Sequence, residues 1–261
     1  MKELGYAVVT GASSGIGMFL AEGLAKRGYS LVLVARREER LRSLADRLEK
    51  QYSTNCRILP CDVSVTEECQ RLIKELEDIP VDIFINNAGF GDCSPFIKGD
   101  LEKELDMVDV NIKAVHTLMK LMLQRMCSNN SGYILNVASS AGLIPAGPYM
   151  ATYYATKAYV TSITQAASQE LKEAKSKVYV GCLCPGPVDT EFNQVANVEF
   201  ALPGISAEYC AEYGLKKMFQ KKVVIIPTLQ MKLLLTFGRF IPRQWYVAIT
   251  GMQQKKKLYR R

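Results

Sequence analysis

The sequence predicts an α/β fold, one doubly wound sheet of seven parallel strands with helical crossovers. Three observations predict it. Short aliphatic runs alternate with longer segments of helical period along the whole chain. Residues 31–35 are apolar without alternation, as in a strand buried on both faces of a parallel sheet. A glycine-rich turn, Gly11 to Gly17, directly follows the first apolar run and opens the first helical segment.

The elements follow in order. A β-type run at 6–10 leads through the glycine turn into a helix over 16–28, with Gly28 as its stop. After strand 31–35, residues 37–52 carry Leu41, Leu44 and Leu48 at helical spacing. Strand 56–60, helix 65–77 and strand 83–86 come next, then one long helix over 101–126. Strand 133–137, helix 152–173, strand 178–184 and a last strand at 223–226 complete the sheet. No composition break or Gly/Ser linker divides the chain, so residues 1–227 read as one domain.

Two stretches depart from the rhythm. Residues 189–205 are irregular and contain Pro203 and Gly204; such a segment after a late strand commonly covers a ligand crevice. Residues 228–243 place Lys232, Thr236, Arg239 and Arg243 on one face of a helix, with Leu, Met, Phe and Ile filling the rest. Lys232, Arg239 and Pro227 argue against a membrane span. The helix either packs on the protein or a second subunit, or lies on a membrane surface. The net charge of +7 owes much to Lys255, Lys256, Lys257, Arg260 and Arg261, which read as a solvated basic tail appended to that helix.

The bulk composition narrows the function classes. The first strand starts almost at once with no charged-then-apolar leader, so no signal peptide is expected. Eight cysteines form no C-x-x-C pair and one histidine is present, so no metal site is expected and the thiols suit a reducing cytoplasm. Nothing matches a nucleic-acid recognition module. His116 reads as a packed residue or a subunit contact, and Cys182 and Cys184 as core.

Gly11, Gly15 and Gly17 let the chain turn tightly and let a pyrophosphate approach the backbone. The helix start at Ile16 offers unpaired N–H groups to that anion, and Ser13 and Ser14 lie beside it. In sites for NAD an acidic residue at the end of the second strand binds the ribose 2′-hydroxyl. This chain has Ala35-Arg36-Arg37 there. Two cations and no acid suit a 2′-phosphate, with help from Ser13, so NADP(H) is expected in preference to NAD(H).

Tyr153 and Lys157 share a helix face four residues apart. A free phenol titrates near ~10, and bringing it to about 7 takes roughly 4 kcal/mol of preference for the phenolate. A neighbouring ammonium and an oxidised nicotinamide can supply that. Tyr154 has Ala158 at its i+4 position and is the poorer base. The strand before this helix ends in Asn136-Val137-Ala138-Ser139-Ser140, at the carboxyl edge where ligands bind.

These motifs, in this order between Tyr6 and Ile226, resemble the short-chain dehydrogenase/reductase family, whose sheet is the Rossmann fold. The resemblance implies Tyr153 as general acid/base, Lys157 as its helper and a serine that polarises the substrate carbonyl. The family's Ser-x-x-Gly selects Ser139 with Gly142, whereas its usual serine-to-tyrosine spacing selects Ser140; an insertion near 145–148 reconciles the first, and Ser139 is favoured. Asn111 falls on the asparagine that supports a water chain from the lysine. Asn86-Asn87-Ala88-Gly89 matches a motif that stabilises the sheet and lines the adenosine side. Asp62 and Val63 match the adenine contacts, and Pro185, Gly186, Val188 and Thr190 the loop that holds the nicotinamide carboxamide.

The implied reaction interconverts a ketone and a secondary alcohol. Residues 143–150 and 189–213 should form the substrate pocket, with Ile144, Pro145, Tyr149, Met150, Phe192, Phe200 and Leu202 suggesting a lipophilic small-molecule substrate bound by Ser139, Tyr149, Tyr153 and Phe192. A homodimer or homotetramer through helices 101–126 and 152–173 is also implied. Two alternative readings remain: a membrane-surface lipid or acyl-chain ketoreductase that uses 228–261 for peripheral contact, and a catalytically silent NADP-sensing interaction protein.

Overall fold

The computed structural model describes residues 4–192, 196 and 204–258, with side chains as far as 255. Seven strands form one parallel sheet: β1 (Tyr6–Thr10), β2 (Ser30–Ala35), β3 (Cys56–Pro60), β4 (Val81–Asn86), β5 (Tyr133–Val137), β6 (Tyr179–Leu183) and β9 (Val224–Ile225). Their order is β3-β2-β1-β4-β5-β6-β9, so the direction of winding reverses between β1 and β4. That reversal opens a crevice beyond the strand ends, where open α/β sheets bind ligands.

The central strands are mainly apolar because both faces of the sheet are covered. Ala7, Val9, Leu31 and Leu33 pack on one side with Leu20, Leu24, Leu41, Leu44 and Leu48. These leucines come from α1 (Gly15–Ala25) and α2 (Glu38–Tyr52). Val8, Val32, Val34 and Phe84 face the other side with Leu72, Leu118 and Met122. Those belong to α3 (Thr66–Glu75) and α5 (Val115–Ser128). In register, Val8 lies opposite Val32 on β2 and Phe84 on β4.

The expected long helix over 101–126 is interrupted. It consists of α4 (Leu101–Val108), a π-helical turn (Asp109–Ala114) and α5. Asp100 caps α4, its carboxylate accepting from the Glu102 and Lys103 amides. The π turn carries Asn111, and such turns recur at functional sites because they re-aim side chains. The expected helix over 152–173 is α6 (Ala151–Glu173).

The expectation for 189–213 holds only for its beginning. Residues 207–213 belong to α7 (Ala207–Phe219), which packs on α1 and not over the crevice. Its buried stripe of Cys210, Ala211, Gly214, Leu215 and Met218 explains why. Leu215 seats against Gly23, and Arg27 pairs with Glu212 across the interface. Before α7, β7 (Val188–Asp189) and β8 (Ile205–Ser206) pair as a small parallel sheet. Phe200 and Leu202 lie outside the described residues.

The C-terminal region also differs. The expected helix over 228–243 ends earlier, as α8 (Leu229–Gly238), and the expected tail is largely helical, as α9 (Arg243–Leu258). Close packing of Gly238 on the Tyr246 ring joins the two. Arg260 and Arg261 lie outside the described residues. Among the described residues no helix is long and apolar enough to cross a membrane.

Candidate active site

The glycine turn ends β1 at the reversal point. Gly11 and Gly15 have φ of +66° and +57°, a region that side chains with a Cβ rarely adopt. A Cβ on Gly11 would sit 2.8 Å from Asn87 Nδ2, and one on Gly17 would collide with Asn87 Nδ2 and the Gly11 carbonyl. Gly17 therefore serves packing and does not line the crevice, whereas Gly11, Ser13, Ser14, Gly15 and Ile16 do. The α1 N-terminus has no side-chain cap and no acid in its first turn. Its first amides are left for an anion, so this cradle fits a pyrophosphate.

Arg36 and Arg37 follow β2 and both line the crevice. Arg36 is exposed and lies 3.7 Å from the Asp62 carboxylate. Arg37 reaches the glycine turn: its Nη2 donates to Ser13 Oγ at 3.1 Å and Ser14 Oγ at 3.0 Å. Glu191 holds Arg37 and Arg40 from the other side, at 3.3 and 2.7 Å. Arg37 is thus the cation closest tied to the turn, a distinction that two adjacent arginines do not reveal in sequence. Asp62 and Val63 line the same end.

The β4 end is stitched to β1. Thr10 Oγ1 accepts from the Asn87 and Ala88 amides at 2.9 and 3.1 Å, and Asn87 Nδ2 donates to the Thr10 carbonyl at 2.9 Å. Buried Asn86 donates to Asn136 Oδ1 on β5 at 2.8 Å. Asn87, Ala88 and Gly89 thereby form the crevice wall.

Asn111 is fully buried and does not line the crevice. Its Nδ2 donates to the Phe90 carbonyl at 2.9 Å and Thr156 Oγ1 at 3.0 Å, while its Oδ1 accepts from the Phe90 amide at 3.1 Å. Both amide protons are committed to protein. Asn111 therefore fixes the chain after Gly89 to α6; Thr156, which the sequence reading passed over, is its partner there. A Cβ on Gly89 would lie 2.8 Å from Asn111 Oδ1 and 3.2 Å from Lys157 Nζ, so both side chains close on this glycine.

Ser139, Tyr153 and Lys157 meet on one wall. Ser139 begins a 3-10 turn (Ser140–Leu143) and its hydroxyl accepts from the Ala141 amide at 3.1 Å. The Ser140 amide donates to the Pro185 carbonyl at 2.8 Å, tying the loop after β6 to this turn. Lys157 Nζ donates to the Val137 carbonyl at 3.0 Å and stands 5.9 Å from the Tyr153 ring centre. Burial pushes the Tyr153 phenol up to about 12, opposed by a hydrogen bond with Ser139. Burial pushes Lys157 down to about 8. The expected lowering of Tyr153 requires the oxidised nicotinamide beside Lys157; in the protein alone desolvation sets the direction. The phenol is fully protonated at neutral pH, as an acid must be.

The whole crevice has a volume of about 1090 Å³. Pro185, Gly186, Val188 and Thr190 line it, with Thr190 3.4 Å from where a Cβ of Gly15 would be. Ile144, Met150 and Phe192 line it as expected; Phe192 packs on Tyr153 with ring centres 5.5 Å apart. Tyr149 does not. It is half-buried at φ +67° with its carbonyl accepting from the Ser94 amide, so its backbone shapes a loop. Pro145 is exposed and absent from the lining. Gln230, Met231 and Leu234 from α8 and Gln253 and Gln254 from α9 form the far wall. These were missed because neither their distance in sequence nor their polarity links them to Tyr153. His116 is exposed and bonds Tyr159 at 2.6 Å, so it is not a packed residue.

Known proteins share this arrangement. A sequence profile described as short chain dehydrogenase matches residues 5–199. An uncharacterised oxidoreductase of Staphylococcus saprophyticus is 39% identical over 186 residues, covering 70% of this chain and 78% of the relative. A very-long-chain 3-oxoacyl-CoA reductase of Anas platyrhynchos is 32% identical over 203 residues, 76% of this chain and 64% of its own length. The solved structure of a short-chain dehydrogenase from Sphingobium yanoikuyae in complex with NADPH superposes with a TM-score of 0.82 at 30% identity, covering 94% of this chain and 96% of that one. With that match over most of its length, the chain belongs to the short-chain dehydrogenase/reductase family of oxidoreductases.

Proposed function

We propose that the protein is an NADP(H)-dependent oxidoreductase that interconverts a lipophilic ketone and its secondary alcohol. The observation that carries this reading is the convergence of Ser139, Tyr153 and Lys157 on the wall of the crevice that begins at the uncapped α1 terminus. The cofactor's pyrophosphate would sit on Gly11–Gly15 and the α1 amides. Asp62, Val63, Asn87, Ala88 and Gly89 would hold the adenosine, with Arg36, Arg37 and Ser13 around a 2′-phosphate. Pro185, Gly186, Val188 and Thr190 would hold the carboxamide end, and Lys157 the ribose. A bound nicotinamide supplies the hydride.

Tyr153 donates its phenolic proton to the carbonyl oxygen as negative charge grows there. Ser139 donates a hydrogen bond to the same oxygen, and its contact with Tyr153 favours it over Ser140. Lys157, buried with a lowered pKa, exchanges its proton more readily than a surface lysine and can return one to Tyr153. Asn111 is a positioning residue, holding Phe90 and Thr156 so that the wall keeps its shape. Ile144, Met150, Phe192, Met231 and Leu234 supply the apolar lining for the substrate.

Residues 1–227 form the catalytic unit in this reading, and Gln230, Met231, Leu234, Gln253 and Gln254 of the appended 228–261 segment complete its wall. The eight cysteines form no disulfide, which suits a reducing compartment such as the cytoplasm. A homodimer or homotetramer through α4–α5 and α6 is part of the same proposal. The test is titration of the purified protein with NADPH and NADH by fluorescence, followed by a panel of ketones. Tight NADPH, weak NADH and turnover of apolar ketones are the expected result; binding of neither cofactor overturns the reading.

A further inference from the structure

Residues 228–261 contain eight Lys and Arg and no Asp or Glu. The preceding 227 residues carry 25 basic and 26 acidic side chains, so the whole positive excess lies in this segment. The same segment concentrates exposed apolar area. Helix α8 buries Met231, Leu235 and Gly238 against the protein. On its opposite side Leu229, Leu233, Phe237 and, in the following turn, Phe240 recur at helical spacing and face solvent, at 70%, 48%, 64% and 83% exposure. Helix α9 repeats the arrangement. Tyr246, Thr250 and Gln254 are buried, while Trp245, Ile249 and Met252 form an exposed stripe. Arg239 and Arg243 are exposed beside both stripes.

An amphipathic surface of large apolar and aromatic side chains flanked by cations only is the composition that lies on an anionic lipid surface. At about 1.5 Å per residue neither helix is long enough to span a bilayer. A second copy of the chain is the poorer occupant. A two-fold contact through this face would set two all-cationic segments against each other with no acid to offset them. Leu234 is exposed and also lines the crevice, so the apolar face runs into the crevice mouth.

We propose that the α8–α9 hairpin docks this protein on anionic lipid, its aromatic stripe at the acyl boundary and Arg239 and Arg243 at the headgroups. The docked crevice then opens toward the lipid. This dock goes beyond the reaction assigned above and does not rest on it.

Trp245 is the chain's single tryptophan and sits in the stripe, so its emission reports the contact directly. The full chain is mixed, without cofactor, with phosphatidylcholine vesicles or with vesicles containing about one-third phosphatidylglycerol. With the anionic vesicles, blue-shifted Trp245 emission and co-sedimentation are expected, about tenfold stronger than with phosphatidylcholine alone and weakened by salt. The double variant Phe237→Ser/Phe240→Ser should remain in the supernatant while keeping wild-type NADPH affinity and thermal unfolding, which separates lost docking from lost folding. Unchanged emission and sedimentation with anionic vesicles would overturn the proposal, and so would equal binding to both vesicle types. A change in solution mass of the double variant, read by light scattering, would assign the face to a second copy and overturn it as well. NADPH titration in the absence of lipid tests the catalytic reading separately.

Discussion

Gln254 Nε2 on α9 donates a 2.7 Å hydrogen bond to the Tyr154 hydroxyl, a hundred residues earlier in the chain. Both side chains are buried, and Tyr154 adjoins Tyr153 on α6. One buried bond thus fastens the C-terminal hairpin to the helix that carries the proposed acid. Gln254→Leu leaves the Tyr154 hydroxyl without that partner and should cost about 1–3 kcal/mol. Urea unfolding measures it. The double variant with Tyr154→Phe should cost less than the sum of the singles, since the pair acts together; strict additivity would mean that the bond does not fasten the hairpin.

Tyr153→Phe removes only the proton to be donated. Turnover should vanish while NADPH affinity stays within a few-fold, as read by fluorescence titration and ketone reduction. Retained turnover would exclude Tyr153 as the acid.

Ser139 and Ser140 both line the crevice, but the Ser139 hydroxyl is the one that meets Tyr153. Ser139→Ala should raise the barrier by about 3 kcal/mol, the scale of a lost oxyanion donor, and Ser140→Ala by much less. Steady-state kcat/KM of the two variants decides it, and the opposite ranking would transfer the role to Ser140.

Arg36 and Arg37 should set the cofactor preference. Arg36→Asp or Arg37→Ala is expected to weaken NADPH far more than NADH in parallel titrations. Arg37→Ala should have the larger effect on the glycine turn itself, because Ser13 and Ser14 lose their shared donor. An unchanged NADPH/NADH ratio in both variants would remove the 2′-phosphate from this corner.

Lys157 should leave a signature in stability. Burial lowers its pKa from 10.5 to about 8. Between those values the unfolded chain keeps a proton that the folded chain has released, so unfolding takes up protons and stability rises with pH. The full change is about 3 kcal/mol. Relative to Lys157→Met, the wild type should gain stability from about pH 8 toward pH 10. Tyr153, raised to about 12, acts with the opposite sign above pH 10, where the unfolded chain loses the phenolic proton first. A pH-independent difference between wild type and Lys157→Met would show that Lys157 is not desolvated.

Much of the fold was legible because its signals are local. Unbroken aliphatic runs mark strands covered on both faces, and all seven expected strands of the sheet are present. Helix α7 was missed although Cys210, Ala211, Gly214, Leu215 and Met218 carry a helical stripe. Cys210, Ala211 and Gly214 add little hydrophobicity to that stripe, so its signal is weak, and Leu215 takes the contact with Gly23. The π turn at Asp109–Ala114 was also invisible, since an extra residue in a helical turn leaves the apolar period almost unchanged.

The sequence by itself determined the sheet, the glycine turn and the pairing of Tyr153 with Lys157, because strand burial, turn geometry and i,i+4 spacing are properties of neighbouring residues. Only the tertiary structure decided which arginine grips the turn, that Asn111 holds Phe90 and Thr156, that Tyr149 shapes a loop, and that α8 and α9 wall the crevice. Those outcomes depend on which distant groups share one buried volume, where hydrogen bonds must be completed and desolvation sets the charge. Burial raises the Tyr153 phenol above its ordinary value in just this way.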